Sequence, residues 1–347
     1  MTIKLTKLIA TEDTEDIKKF LEVQKPFYKK VFGRRRHKKK MLLKNFDELM
    51  SRVKSLPKKR VVVAAAADEK IIKLAKAIDA AGIADCLLVG NRDKIQSLAK
   101  GNGTNIKPDH IVHVETSDEK AMAEKAVSLI KENQADLIMK GHLHTAVFLK
   151  AVLNDNGALR GNGLLSQASV FEKMSGNGLL LISDCAMNIC PNLDQKRQII
   201  KNSVKLAGKI GYPKPLVAIL AAVETVNPEM PETTDAAVLS KMGERGQLGN
   251  CVIDGPLALD NAVSMESARH KGINSPVAGK ADILIVPDIR TGNVLHKSLV
   301  YFAKKKVAAV IMGANIPIIF PSRTDFMESK LLSVALAAYL SRNNELT

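Results

Sequence analysis

A chain of 347 residues, 46% of them hydrophobic, is long enough for one large domain or two ordinary ones and too apolar for global disorder. Only 4% of the residues are aromatic and tryptophan is absent, which argues against a binder that stacks bases or sugars on aromatic faces. The net charge of +16 is concentrated: residues 1–60 hold 19 Lys and Arg against 7 Asp and Glu, a balance of +12, which leaves +4 for the other 287 residues.

Residues 1–40 read as a basic N-terminal extension, in which TEDTEDIKKFLEV patterns as a short helix ahead of the run KKVFGRRRHKKK. That run suits contact with nucleic acid or another polyanion, and equally a solvated surface. Helical patterning resumes at MLLKNFDELMSRVKSL, and from residue 60 a rhythm sets in. RVVVAAAA reads as a strand and DEKIIKLAKAIDAAG as a helix closed by Gly82. DCLLVG, HIVHVE and DLIMKG follow as strands, separated by helices over NRDKIQSLAKG and TSDEKAMAEKAVSLIKEN, and TAVFLKAVLN opens another helix. Residues 155–178 break the rhythm with Gly and Asn, as turns between short antiparallel strands would.

The alternation returns with LLLISD, a helix around LDQKRQIIKNSVKLAGKIG, then PLVAILA, TTDAAVLSKMGERG, CVIDG, a helix near LDNAVSMESARHKG, ADILIVPD, NVLHKSLVYFAKK and VAAVIMG. KLLSVALAAYL forms a last apolar helix. Short continuous apolar runs between amphipathic helices predict an α/β fold with parallel sheets covered on both faces, arranged as two lobes with a cleft between them. Such sheets bind ligands outside the carboxyl ends of their strands.

Cys86, Cys185, Cys190 and Cys251 form no CxxC pair and have no histidine at zinc-finger spacing, so reduced thiols of a cytoplasmic protein are expected. No run of about 18 uninterrupted apolar residues suggests a membrane span, and no apolar signal core opens the chain.

Four apolar runs end in polar residues: LIMKGHLHT, LLLISDCAMNI, ILIVPDIRTGN and IIFPSRTD. These residues are expected to converge. Arg323 offers a planar fork for phosphate or carboxylate, Ser322 a small donor, and the helix start free N–H groups. Asp325 with Glu328 fits a capping box, which explains those two residues but not Ser322 and Arg323. Lys140 suits an anion, Thr145 an N-cap, and His142 and His144 are too close in sequence to ligate metal from one helix face. Asp288, Arg290, Gly292 and Asn293 precede a helix, and Thr291 or Asn293 suits its cap. Asp184 fits a loop N–H acceptor or a site carboxylate. Asp254 and Asp260, six apart, suit a divalent metal or helix caps. Neither a dinucleotide-binding GxGxxG loop nor a P-loop is present.

VETVNPEMPETTDAAVL, VIDGPLALDNAVS, LIVPDIRTGNVLHKSLVYF and PSRTDFMESKL together resemble the phosphate acetyl/butyryltransferase family, and its butyryl branch most, from about Met41 to residue 340. The resemblance implies a two-lobed fold like that of isocitrate and isopropylmalate dehydrogenases, with three-layer α/β/α lobes. The first would take residues 41–162 and 316–347, the second 163–315. It implies exchange of a short acyl group, butyryl above acetyl, between CoA and inorganic phosphate, by a homo-oligomer of at least two chains without metal or redox cofactor. Gly313-Ala314 ahead of Ser322-Arg323 matches the acetyl branch's spacing, so that Ser322 would stabilise the thiolate or oxyanion and Arg323 would hold phosphate. The basic aspartate of that branch falls on Ser329, so Asp325 or Glu328 would have to substitute, and a second phosphate arginine falls on Lys150. Lys140, Thr145, Lys150, Ser166, Asp288, Gly292 and Asn293 complete the expected substrate-binding set. Two rivals are a metal- and NAD-dependent decarboxylating dehydrogenase of the same fold, and a binder acting through its basic leader.

Overall fold

The computed structural model describes residues 41–115, 118–154, 159, 161, 163–174, 177–322 and 324–341, which belong to one compact unit. The basic run and the helix expected before it lie outside the described residues, as does Arg323. In chain order the elements are α1 (Phe46–Lys54), β1 (Lys59–Ala64), α2 (Glu69–Ala81), β2 (Ala84–Gly90), α3 (Arg92–Gly101), β3 (Ile111–His113), α4 (Glu119–Lys131), β4 (Leu137–Lys140) and α5 (Thr145–Leu153). They continue with β5 (Ser166–Glu172), β6 (Leu179–Ser183), α6 (Leu193–Lys209), β7 (Leu216–Leu220), α7 (Pro231–Glu244) and β8 (Val252–Leu257). Last come α8 (Leu259–Val263), α9 (Met265–His270), β9 (Ile283–Ile285), α10 (Ile289–Tyr301), β10 (Val307–Met312), β11 (Ile318–Ile319) and α11 (Met327–Ser341). The single helix expected near LDNAVSMESARHKG is thus two short ones, because Ser264 leaves the helix and its Oγ accepts the N–H of Ser267 as a new cap.

All eleven strands form one sheet, ordered β3-β2-β1-β4-β11-β10-β5-β6-β9-β7-β8. Strands β3, β2, β1, β4 and β11 are parallel, and so are β6, β9, β7 and β8. Between these runs the pairs β11–β10, β10–β5 and β5–β6 are antiparallel. The sheet is therefore mixed rather than the parallel arrangement the apolar runs suggested. The cause is a hairpin: Lys173 donates its N–H to Gly178, and the chain returns beside β5, which is the antiparallel turn expected from SGNG.

Side chains alternate across this sheet with period two. One face carries a single apolar cluster that includes Val61, Val63, Met139, Ala168, Val170, Leu181, Val217, Val310 and Ile319, covered by α1, α2, α6, α7 and α11. The opposite face carries two. Val62, Ala64, Ile138, Ile311 and Ile318 pack under α4 and α5. Phe171, Ile182, Ala218, Leu284 and Val307 pack under α10 and the turns around Val277. Strand β5 presents Gln167 and Ser169 to this second face, both buried and both polar, between the two clusters.

Where β4 ends, the N–H groups of Gly141 and His142 continue the ladder onto the carbonyls of Ala64 and Ala65, each at 2.9 Å. A Cβ at Gly141 would stand 2.3 Å from the Ala64 oxygen and 2.5 Å from that of Ala65. The approach of β4 to the end of β1 thus requires glycine. Gly141→Ala is expected to lower the unfolding free energy by about 1–3 kcal/mol. Gly101→Ala, whose Cβ meets nothing within 4 Å, is expected to leave it unchanged. Urea denaturation of the two variants checks this, and equal stabilities would refute the steric account.

Candidate active site

Three parallel strands, β1, β4 and β11, deliver their carboxyl ends side by side. After β1 the chain reaches Asp68, which caps α2 by accepting the N–H groups of Lys70 and Ile71 at 3.0 and 3.1 Å, and lies 3.3 Å from His142 Nδ1. At the end of β4, Lys140 is 5% exposed, with its ammonium 5.7 Å from the centroid of the Phe320 ring. After β11 comes Phe320, and then a tight turn. The Ser322 N–H donates to Asp325 Oδ2 at 2.7 Å, the Asp325 N–H donates to the Ser322 carbonyl at 3.2 Å, and the hydroxyls of Ser322 and Thr324 are 3.1 Å apart. Helix α11 follows, and in its first turn Lys330 is 5% exposed. Burial pulls the Lys330 ammonium below the usual lysine range, and Lys70 adds to this. The carboxylates of Asp325 and Asp68 oppose it. Lys140, Ser322, Asp325 and Lys330 are thus brought to one edge of the sheet.

The capping box expected over Asp325 and Glu328 does not form. Asp325 turns back to Ser322, and Glu328 pairs with Lys306 at 2.7 Å, a partner no local pattern announces. Thr145 is the first residue of α5 rather than its cap. His144 holds the capping position, without a side-chain cap bond, and donates its N–H to Glu119 at 2.8 Å.

The other two strand ends lie at the opposite edge, because β6 and β9 run against β4 and β11. There Asp184, 2% exposed, accepts the N–H groups of Gln167, Ala186, Met187 and Asn188 at 3.0–3.1 Å and the Asn188 amide. Burial pushes its carboxyl up against the pull of these donors, so it is the loop N–H acceptor of the two readings. Gly292 packs onto it so closely that a Cβ would come 2.4 Å from the Asp184 carbonyl. Asn293 donates its amide to the Cys185 carbonyl at 3.4 Å. Asp288 caps α10, accepting the Thr291 N–H at 2.8 Å and Arg290 Nε at 3.0 Å. Burial alone would raise its carboxyl, and these donors hold it below the usual range instead. A groove of about 720 Å³ opens here, lined by Leu220, Leu259, Pro287, Asp288, Thr291 and Val294 among others.

Two expected binding residues stand apart from both edges. Ser166 is buried on the first face, its hydroxyl 2.9 Å from the Asn202 amide. Lys150 is exposed in a groove of about 380 Å³ with Lys120, Glu124 and Lys131. Neither groove is lined by Ser322 or Lys140. Among the described residues no three His, Cys, Asp or Glu side chains gather as metal ligands would. Asp254 accepts the N–H of Gly255, while Asp260 lies 3.5 Å from Lys271.

Sequence reasoning missed His296 and Ser169. From α10, His296 sets its Nδ1 2.8 Å from Ser169 Oγ, and its ring meets Phe171 edge-on at 5.8 Å. Burial pulls its imidazole below the ordinary histidine range. The facing Asp325 carboxylate opposes this, and Lys297 adds to it. The available signal was spacing: His296 lies four residues after the buried Gly292, hence on the same stripe of α10. One turn further on, the Tyr301 hydroxyl is 3.4 Å from the Thr324 carbonyl, so α10 reaches the Ser322 turn. Ser169 also bonds the Cys185 thiol, which burial pushes up to about 12.

No helix among the described residues is long and apolar enough to cross a membrane. A phosphate butyryltransferase of Clostridium acetobutylicum is 45% identical over 302 residues, spanning 87% of this chain and all of that protein. A phosphate acetyltransferase of Thermotoga maritima is 40% identical over 81% of this chain and 94% of its own length. The crystal structure of a branched-chain phosphotransacylase from Enterococcus faecalis superposes with a TM-score of 0.72 at 32% identity, over 82% of this chain and 99% of that one. A 4-hydroxythreonine-4-phosphate dehydrogenase from Klebsiella pneumoniae shares the fold alone, with a TM-score of 0.55 at 14% identity over 82% and 98% of the two chains. The phosphate acetyl/butaryl transferase family model matches residues 45–126 and 120–338, and this chain belongs to that family.

Proposed function

We propose that this chain transfers a short acyl group between CoA and inorganic phosphate, with butyryl preferred over acetyl. The observation that carries the reading is the 45% identity to a phosphate butyryltransferase along that protein's whole length. The site at the ends of β4 and β11 supplies what the chemistry asks for. Phosphate and acyl phosphate are anions, and Lys140 and Lys330 place two buried ammonium groups beside the Ser322 turn. In this reading Arg323 grips the phosphate through its planar fork, and Ser322 donates to the oxyanion of the tetrahedral intermediate. Thioester and acyl phosphate are both activated carbonyls and no oxidation state changes, so the exchange needs no metal or redox cofactor.

The finer architecture follows from the same picture. Two lobes, residues 41–162 with 316–347 and residues 163–315, flank a cleft on the second face of the sheet, in a frame like that of isocitrate and isopropylmalate dehydrogenases. The separation of the apolar clusters on that face and the likeness to a dehydrogenase fold support it. The family resemblance adds a homo-oligomer of at least two chains, and the substrates add a cytoplasmic location. The metal-dependent dehydrogenase has little to stand on, since Asp254 and Asp260 have separate partners.

Release of CoA from acetyl-, propionyl-, butyryl- and branched acyl-CoA tests the function. It is expected to require phosphate and to be at least about tenfold faster in kcat/KM for butyryl than for acetyl, since each methylene is worth about 1–3 kcal/mol in a fitted pocket. Phosphate-independent release would refute the transfer, and a preference for acetyl would refute the butyryl assignment. Arg323→Ala is expected to lower kcat/KM for phosphate by about 100- to 1,000-fold with an unchanged Tm. Normal turnover by that variant would remove Arg323 from the site.

A further inference from the structure

The exchange has a proton to move. When CoA attacks an acyl phosphate, the thiol must lose its proton, because the thiolate is the nucleophile. The leaving phosphate must gain one. The carboxylates near the Ser322 turn are engaged elsewhere. Asp325 holds the Ser322 N–H at 2.7 Å, Glu328 is paired with Lys306, and Asp68 caps α2 beside His142. Across the sheet, Asp184 and Asp288 are each ringed by N–H donors. On the same face as the Gln167 and Ser169 side chains, and facing Asp325, stands His296.

Its two nitrogens are differently placed. Nδ1 is held by Ser169 Oγ at 2.8 Å, and Phe171 fixes the ring edge-on, whereas no group among the described residues hydrogen-bonds Nε2. With the Nδ1 proton given to Ser169, Nε2 carries the lone pair and is oriented. The ring is partly exposed, so a substrate atom can reach it. We infer that His296 shuttles the proton of the exchange: its Nε2 takes the proton from the CoA thiol and hands it to the departing phosphate oxygen. The sulfur lone pair forms the bond to the acyl carbon, the carbon–oxygen bond to phosphate breaks with its electrons on phosphate, and that oxygen receives the proton. In the opposite direction Nε2 takes the proton of the attacking phosphate and delivers it to the leaving sulfur. Ser169 is a positioning residue, acting through the ring. Among the described residues the charged groups that act on the imidazole are Asp325 from the β11–α11 turn and Lys297 on α10 itself. Burial is the larger influence and keeps the ring neutral and able to accept a proton at neutral pH.

This rests on the acyl-transfer reading, and the test separates the two. His296→Asn keeps an amide near the Nδ1 position for Ser169 and removes Nε2. His296→Gln, which spans to the Nε2 position without a base, is the second variant. Wild-type enzyme assayed with butyryl phosphate and CoA is expected to lose kcat/KM as pH falls below the ordinary histidine range, because the imidazole, lowered by burial, becomes protonated there. His296→Asn is expected to lose that limb and to turn over about 100- to 10,000-fold more slowly. Its Tm and its affinity for desulfo-CoA, which lacks the thiol, should stay at wild-type values. A variant with wild-type pH dependence and turnover within about threefold overturns the assignment, as would loss of folding in both variants, which would make His296 a core residue. No exchange by the wild-type enzyme would instead overturn the reaction itself.

Discussion

In a parallel ladder every strand ends at the same edge, and the functional layout of this protein follows from where that regularity breaks. The β5–β6 hairpin and the antiparallel seat of β10 turn the second run of strands around within one continuous sheet. Lys140 and Ser322 therefore emerge at one edge, Asp184 and Asp288 at the other. A helix that runs from Ile289, capped by Asp288, to Tyr301 rises about 1.5 Å per residue, roughly 20 Å in all. That length carries α10 from the second edge to the turn at the first, where Tyr301 touches Thr324. His296 sits part of the way along this span, over the polar stretch of β5 that separates the two apolar clusters.

Much of the scaffold was legible in the chain. Continuous apolar runs announced β1, β2, β4, β7, β9 and β10, and Gly82 closes its helix as read, whereas α10 starts earlier than expected and is capped by Asp288, not by Thr291 or Asn293. Strand direction was not legible, because an apolar run reads the same in either sense. The reversal is set by Gly/Asn-rich connections, not by the strands. Parity failed in a related way. Ser166 looked like a site residue, but with period-two alternation Gln167 and Ser169 point to the face that carries His296 and Ser166 to the opposite one. Asp325 and Glu328 matched a local capping pattern that Lys306, remote in sequence, disrupts. His296 owes its setting to a serine 127 positions away, beyond any local signal.

The buried polar groups divide into two kinds. Asp184 is saturated with donors and, with Gly292 pressed against its carbonyl, serves as a structural joint between β6 and α10. Among the described residues, Gln167 Oε1, Arg197 Nε and Asn261 Oδ1 are buried with no hydrogen-bond partner. An unsatisfied buried donor or acceptor costs about 1–3 kcal/mol. Of the three, Gln167 lies on the face of β5 that also carries Ser169.

The chemistry of reversible exchange bears on which kind of group can serve it. A thiol titrates near about 8.5, whereas an ordinary carboxyl titrates near about 4, some four units too acidic to take the thiol proton readily. An ordinary lysine, near about 10.4, has the opposite fault, since it holds its proton too firmly to release it to phosphate, a fault that burial lessens at Lys330. Imidazole, near about 6.5, lies between, and proton transfer is most efficient when donor and acceptor are matched. Burial lowers His296 from the ordinary histidine range, and the carboxylate of Asp325 opposes that shift. The carboxylate that orders the Ser322 turn by accepting the Ser322 N–H therefore also acts through space on the His296 imidazole.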